Sequence, residues 1–193
     1  MEFREFISPE MQIEWFHSIN NENNIYLIIS HEDKDIGLLN AKNINWEEKS
    51  FESGIFFWDT NYYNTFIPAL VSLIATNFCF KILNYNILYA HTLKTNTHAI
   101  KYNLNLGYEL CEEQEDKENQ MYFLTLEKFR KITRKFKRLI DLFSSGNKEC
   151  VVVIEPHDYE FGYGSIFGEK LVAAGLKPLK TQRGTEFVLP ALA

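Results

Sequence analysis

At 193 residues, with 46% hydrophobic and 15% aromatic content, the chain can bury the core of one domain plus an appendage, and wholesale disorder is excluded. The net charge of −6 argues against a nucleic-acid partner, and three unpatterned cysteines (Cys79, Cys111, Cys150) read as reduced thiols, with no disulfide framework and no metal site. The acidic N-terminus MEFREFISPE has no apolar core segment, so no signal peptide is expected. FIPALVSLIATNFCFKIL is broken at Thr76, Asn77 and Lys81, so no membrane span is expected either, and the expected compartment is the cytoplasm.

In chain order, Ser8-Pro9 opens a helix through MQIEWFHSI, with Met11, Trp15 and Ile19 on the expected inner face. NIYLIIS reads as a strand, HEDKD as a turn, and IGLLNAKNINW as a second, antiparallel strand. SFESGIFFWD is a third, with Ile55 and Phe57 on one face and Phe56 and Trp58 on the other. Residues 66–83 form a helix apolar nearly all round, hence deeply buried. NILYAHTL is a fourth strand. KTNTHAIKYNLNLGY follows as a helix that Asn96 can cap and Gly107 can end. YELCEE and NQMYFLTLE make a hairpin around an acidic turn. The order α-β-β-β-α-β-α-β-β predicts an α+β fold around a mixed, mostly antiparallel sheet with flanking helices.

EKFRKITRKFKRLIDLF is then an amphipathic helix, with Phe129, Ile132, Phe136, Leu139 and Phe143 along one stripe and basic residues elsewhere. The tail reads as a strand (ECVVVIE), a polar loop (PHDYEFGYG), a helix (SIFGEKLVAAG) and a strand (TEFVLP). Charge divides the same way: residues 1–127 carry −11 and residues 128–193 carry +5. The expected organisation is a main domain over 1–127, a basic connecting helix over 128–144 and a small α/β extension over 145–193, packed on the main domain or on a partner. The simplest account of the basic helix is internal: it lies on an acidic body, with burial of Phe129, Phe136 and Phe143 dominating the weak surface charge pairs. A homodimer through the same stripe is the alternative.

The order of elements, with Asn96 and Ala99 placed eleven residues before Gly107-Tyr108, resembles the GNAT superfamily of acyl-CoA-dependent N-acetyltransferases. Within it the chain looks most like the branch that acetylates amino sugars for bacterial surface polysaccharides. That likeness rests on Tyr102-Asn103 and on the segments ISPEMQIEWF, IGLLNAKNINW, GIFFWD and NQMYFLTLEKF. The resemblance implies a sheet that splays beside the Asn-capped helix, with acetyl-CoA in the gap. Three departures stand out. The positions equivalent to the family's glycine-rich diphosphate loop are Asn61, Asn64 and Phe66, so no glycine remains there. The family's leading strand and helix find no match before ISPEMQ. The tyrosine often proposed to protonate the leaving thiolate is displaced, Tyr102 lying one residue early.

What the resemblance implies for the site follows. Glu52, preferred over Glu47 and Glu48 because it lies closest to the splay, is the candidate general base, and Tyr102 the candidate acid. GIFFWD would offer main-chain groups to the pantetheine arm, with Phe56, Phe57 and Trp58 beside it. Asn64, Thr65 and Phe66 would meet the diphosphate through helix-terminal amides. Asn96 either bonds the cofactor or only caps its helix. His91 and His98 read as structural or solvent-facing. The expected reaction moves an acetyl group from acetyl-CoA to a primary amine on a small molecule, by resemblance a nucleotide-linked amino sugar, although an acidic body suits a cationic acceptor better. The alternative is a catalytically inactive GNAT-fold module used for binding or oligomerisation.

Overall fold

The computed structural model describes residues 6–136, 138, 141, 149–161 and 164–190. Helix α1 (Pro9–Ile19) starts on Ser8, whose Oγ accepts the Met11 amide at 3.2 Å. The inward face expected from sequence is not found: no residue of α1 is buried, and Met11 and Trp15 remain about half exposed. The reason is the surface it meets. Trp15 stands edge-on to Tyr26, with ring centroids 5.8 Å apart, on a sheet face that also carries Lys42 and Glu52.

Strands β1 (Ile25–His31) and β2 (Lys34–Asn45) are joined through Glu32 and Asp33, at φ 51° and 60°. Two left-handed residues in a row are what a two-residue hairpin turn needs to match strand twist. Then come β3 (Ser50–Phe57), α2 (Ile67–Asn77), a π-helical turn over Phe78–Ile82, β4 (Ile87–Leu93), α3 (Thr97–Asn105), β5 (Glu109–Leu110), β6 (Asn119–Thr125) and α4 (Leu126–Lys135). The buried helix predicted over 66–83 is thus α2 plus that turn. The strands form one sheet in the order β1-β2-β3-β4-β6-β5, antiparallel except between β3 and β4. This is the α+β architecture expected from the order of elements.

Strand alternation sends Phe51, Leu88, Tyr122 and Leu124 to the face covered by α2, α3 and α4, where Leu73, Phe80 and Phe129 complete the main core. Leu73, Leu124 and Phe129 are at most 1% exposed, each contributing about 2–3 kcal/mol by leaving water. The other face carries Ile28 and Phe56, both more than half exposed, so the sheet is covered unequally.

On α4, Phe129 and Ile132 are buried and Lys128 meets Glu109 at 2.6 Å, so an apolar stripe and an ion pair to the acidic body act together. Leu139 and Phe143, expected on the same stripe, lie outside the described residues. The tail adds β7 (Val151–Ile154), α5 (Asp158–Phe161), α6 (Gly164–Ala173), β8 (Leu179–Lys180) and β9 (Thr185–Val188). The expected polar loop contains the short α5, because Asp158 Oδ2 accepts the Glu155 amide at 2.8 Å and turns the chain. The three strands make an antiparallel sheet, β7-β9-β8. Ile154, Phe167, Leu171 and Phe187 cluster with Phe78, and Ile25, Leu27 and Leu83 pack against them, which seats the tail on the α2 side of β1.

Candidate functional site

Strands β3 and β4 pair at only three positions, Ser50↔Ile87, Phe51↔Leu88 and Glu52↔Tyr89. β3 continues to Phe57 and β4 to Leu93 without pairing to each other, so the sheet opens into a V. At the vertex the Tyr89 carbonyl is met by a side chain instead of the next rung: the Ser53 hydroxyl donates to it at 3.0 Å. That hydroxyl has one proton, so Tyr108, 2.7 Å away, donates its own to Ser53 Oγ. Burial pushes the Tyr108 phenol far above its ordinary range, which keeps it a donor.

Local sequence explains how Tyr108 arrives there. After α3, Gly107 adopts φ +92°, its amide donating to Leu104 and the Tyr108 amide to Asn103. This is the Schellman stop that glycine allows, and it turns Tyr108 back under the sheet. A Cβ at Gly107 would lie 2.7 Å from Ile132 Cγ1, so space as well as φ demands glycine.

Because β3 and β4 are parallel, α2 and α3 both begin at the open mouth of the V. On α3, Asn96 Oδ1 caps the Ala99 amide at 3.1 Å. On α2, Thr65 Oγ1 accepts the Ile67 amide at 3.2 Å, while the Phe66 and Ala69 amides meet no acceptor among the described residues. Asn64, Thr65 and Phe66 are exposed. Phe56 and Trp58 also face solvent, and Trp58 Nε1 donates to the Asp35 carbonyl at 2.8 Å. Phe57 is buried with Ile29, Ile36 and Ile67.

Glu52, at the last rung, faces the open side of the sheet with its side chain 15% exposed. Its Oε1 lies 3.1 Å from both Lys42 Nζ and His91 Nδ1, and its Oε2 accepts Asn43 Nδ2 at 3.2 Å. Asn43 reaches it from a bulge in β2, at φ 52°. Burial pushes the carboxyl up, but bonding and charge from Lys42 and His91 outweigh it and hold Glu52 below the usual range. The sequence alone gives His91 no more than a structural or solvent-facing reading. Its signal is parity: Glu52 pairs with Tyr89, so the residue two further on shares Glu52's face, and only the register reveals this. Glu47 and Glu48 are exposed, their amides held by Asn45 Oδ1. Tyr102 lies on the other face, donating to the Pro68 carbonyl at 2.9 Å and bonded to Ser72 Oγ at 2.7 Å, with its phenol pushed up by burial. Among the described residues no cluster of His, Cys, Asp and Glu could hold a metal ion.

Between the sheet and helices α2 and α3 lies a cavity of about 140 Å³, bordered at the V by Ser53, Gly54, Ala90, Tyr102 and Tyr108. Residues 2–123 match the family model of the acetyltransferase (GNAT) domain. The chain belongs to the GNAT family.

Similar solved structures carry the same fold. Apo FdhC, a nucleotide-linked sugar GNAT, is 21% identical, with 71% of this chain and 82% of that one covered at a TM-score of 0.55. A spermidine N-acetyltransferase from Vibrio cholerae in complex with CoA and spermine is 18% identical, covering 65% and 79% at 0.54. A mutant of the Vibrio cholerae enzyme gives 19%, 64%, 79% and 0.53. No curated protein matches the sequence. GNAT acetyltransferases use acetyl-CoA, and this chain fits that donor on two counts. The parted strands leave main-chain groups open to a pantetheine arm, and free amides at the start of α2 suit a diphosphate without any glycine in the loop.

Proposed function

We propose that this GNAT protein transfers an acetyl group from acetyl-CoA to a primary amine carried by an amino sugar, the acceptor approaching from the open face of the sheet. The observation that carries the reading is the three-rung β3–β4 pairing with a Glu52–His91 pair beside the point of parting. Bound acetyl-CoA supplies the acyl group as an activated thioester. The chain's own groups do the rest. Glu52, kept anionic by Lys42, accepts from His91 Nδ1 and so presents the opposite ring nitrogen as proton acceptor for the incoming ammonium. A main-chain amide on the free edge of β3 polarises the thioester carbonyl, as an oxyanion hole does. A C–N bond forms, the C–S bond breaks, and the thiolate takes a proton from Tyr102, whose phenol borders the cavity and gives up its bond to the Pro68 carbonyl to deliver it, with Ser72 Oγ left to donate to the phenolate. Exposed Trp15, Phe56 and Trp58 offer flat apolar rings to a sugar, and the likeness to a nucleotide-linked sugar GNAT supports that class.

Isothermal titration with CoA and acetyl-CoA tests the donor half, with micromolar binding expected. A thiol-release assay on nucleotide-linked amino sugars and, in parallel, polyamines tests the acceptor half. Absence of heat at millimolar donor would leave the inactive binding module as the surviving account.

A further inference from the structure

The cavity is larger than an acetyl group needs, and it extends in the wrong direction to be explained by the strand gap alone. The gap separates β3 from β4, yet the walls continue sideways under β2 and β1, reaching Ala41, Ile25 and Leu27. With strands about 4.8 Å apart, β1 lies about 10 Å from β3, far beyond the reach of a single methyl. Ala75 and Phe78 roof this part from the α2 side, and Phe167 of the C-terminal unit closes its end. The hydroxyls at the helical and gap side are paired, Ser53 with Tyr108 and Ser72 with Tyr102. Toward the far end the lining is mainly apolar, Ile25, Leu27, Phe78 and Phe167, with the Cys79 thiol and the Tyr85 ring beside them. The whole cavity, gap included, offers about 140 Å³, close to the roughly 150 Å³ at which a dry apolar cavity takes up a six-carbon guest such as benzene.

We propose that this lateral cavity is an acyl-tail pocket, and that the protein binds and transfers straight apolar acyl groups of about four to six carbons in preference to acetyl. The proposal rests on the acyl-CoA-dependent transferase reading above and replaces its acetyl donor with a longer one. The chemistry is unchanged: the thioester C–S bond breaks, the amine gains a C–N bond, and one amine proton leaves as the CoA sulphur gains one. The carboxyl-terminal unit thereby acquires a role, since Phe167 bounds the tail.

Isothermal titration of CoA, acetyl-CoA, butyryl-CoA and hexanoyl-CoA into the full chain tests this without any acceptor. Each buried methylene should tighten binding about fourfold, so butyryl-CoA should bind about 15-fold more tightly than acetyl-CoA. Replacing Ala75 with Leu, which fills the pocket from α2, should cut the hexanoyl-to-acetyl affinity ratio at least tenfold. Phe167→Leu, which leaves the roof intact and shortens the end wall, should preserve or raise that ratio. If acetyl-CoA binds but longer donors bind no better, the tail pocket is refuted and the acetyltransferase reading stands. If the chain-length gain persists in Ala75→Leu, the tail lies elsewhere and the proposal also fails. If no CoA species binds, both readings fall together.

Discussion

Ser53 holds the vertex of the V, and its removal has a cost that the contacts allow us to work out. Ser53→Ala deletes one hydroxyl but strands two partners: the buried Tyr108 phenol loses its acceptor and the Tyr89 carbonyl loses its donor. An unpaired buried hydroxyl costs about 1–3 kcal/mol and a lost neutral bond about 1 kcal/mol, so the substitution should destabilise by about 2–4 kcal/mol. Tyr108→Phe removes the phenol hydroxyl while leaving Ser53 bonded to Tyr89, and should cost about 1 kcal/mol. In that background Ser53→Ala no longer strands the phenol, so the double mutant should show a coupling of about 1–3 kcal/mol. Urea unfolding followed by far-ultraviolet circular dichroism gives all four corners, with the slope of the transition unchanged. Additive effects, or a loss below 0.5 kcal/mol for Ser53→Ala, would refute this account of how the strands are held at their point of parting.

Further expectations concern the open face, the stop after α3 and the buried thiol. Glu52→Gln and His91→Ala should each lower kcat by about 100-fold or more without a matching rise in donor Kd, and Glu52→Gln should alter the pH profile of kcat; equal losses in donor binding would assign them to scaffolding. The Glu52 carboxyl is depressed in the folded state, so its stabilisation is complete above the ordinary glutamate value near 4.5 and fades as pH falls below it. Stability of Glu52→Gln should therefore fall less steeply with acid than that of the parent, as read by urea midpoints from pH 6 down to pH 3. Gly107→Ala combines a left-handed φ with a 2.7 Å approach to Ile132 and should cost about 2–4 kcal/mol by the same unfolding assay. Burial pushes the Cys79 thiol up to about 12, so iodoacetamide followed by mass spectrometry should leave it unlabelled in the native protein and label it in urea.

The elements and their order were legible in the sequence because each carries its own local physics. Ser8-Pro9, Thr97 after Asn96, and Gly107 mark helix ends through groups that bond within a few residues, and the alternation of Ile55, Phe56 and Phe57 sorts itself by strand parity. The cap that Asn96 makes on the Ala99 amide follows from the same local physics. What depended on register was not legible. His91 meets Glu52 only because β3 and β4 pair at Glu52↔Tyr89 before separating, and Tyr102 turns to the Pro68 carbonyl only because α2 and α3 lie side by side.

From the chain alone one obtains the family, the apolar buried helix and a carboxylate near a splayed strand. The folded structure alone decides that α1 lies half exposed on a polar sheet face, that a serine closes the last rung of the parting pair, and that Phe167 closes a cavity reaching back to Leu27. Capping and alternation are set by neighbours up to four positions away, whereas a register or a cavity wall is set by residues far apart in the chain, 36 positions for Ser53 and Tyr89 and 140 for Leu27 and Phe167, whose meeting no local signal encodes.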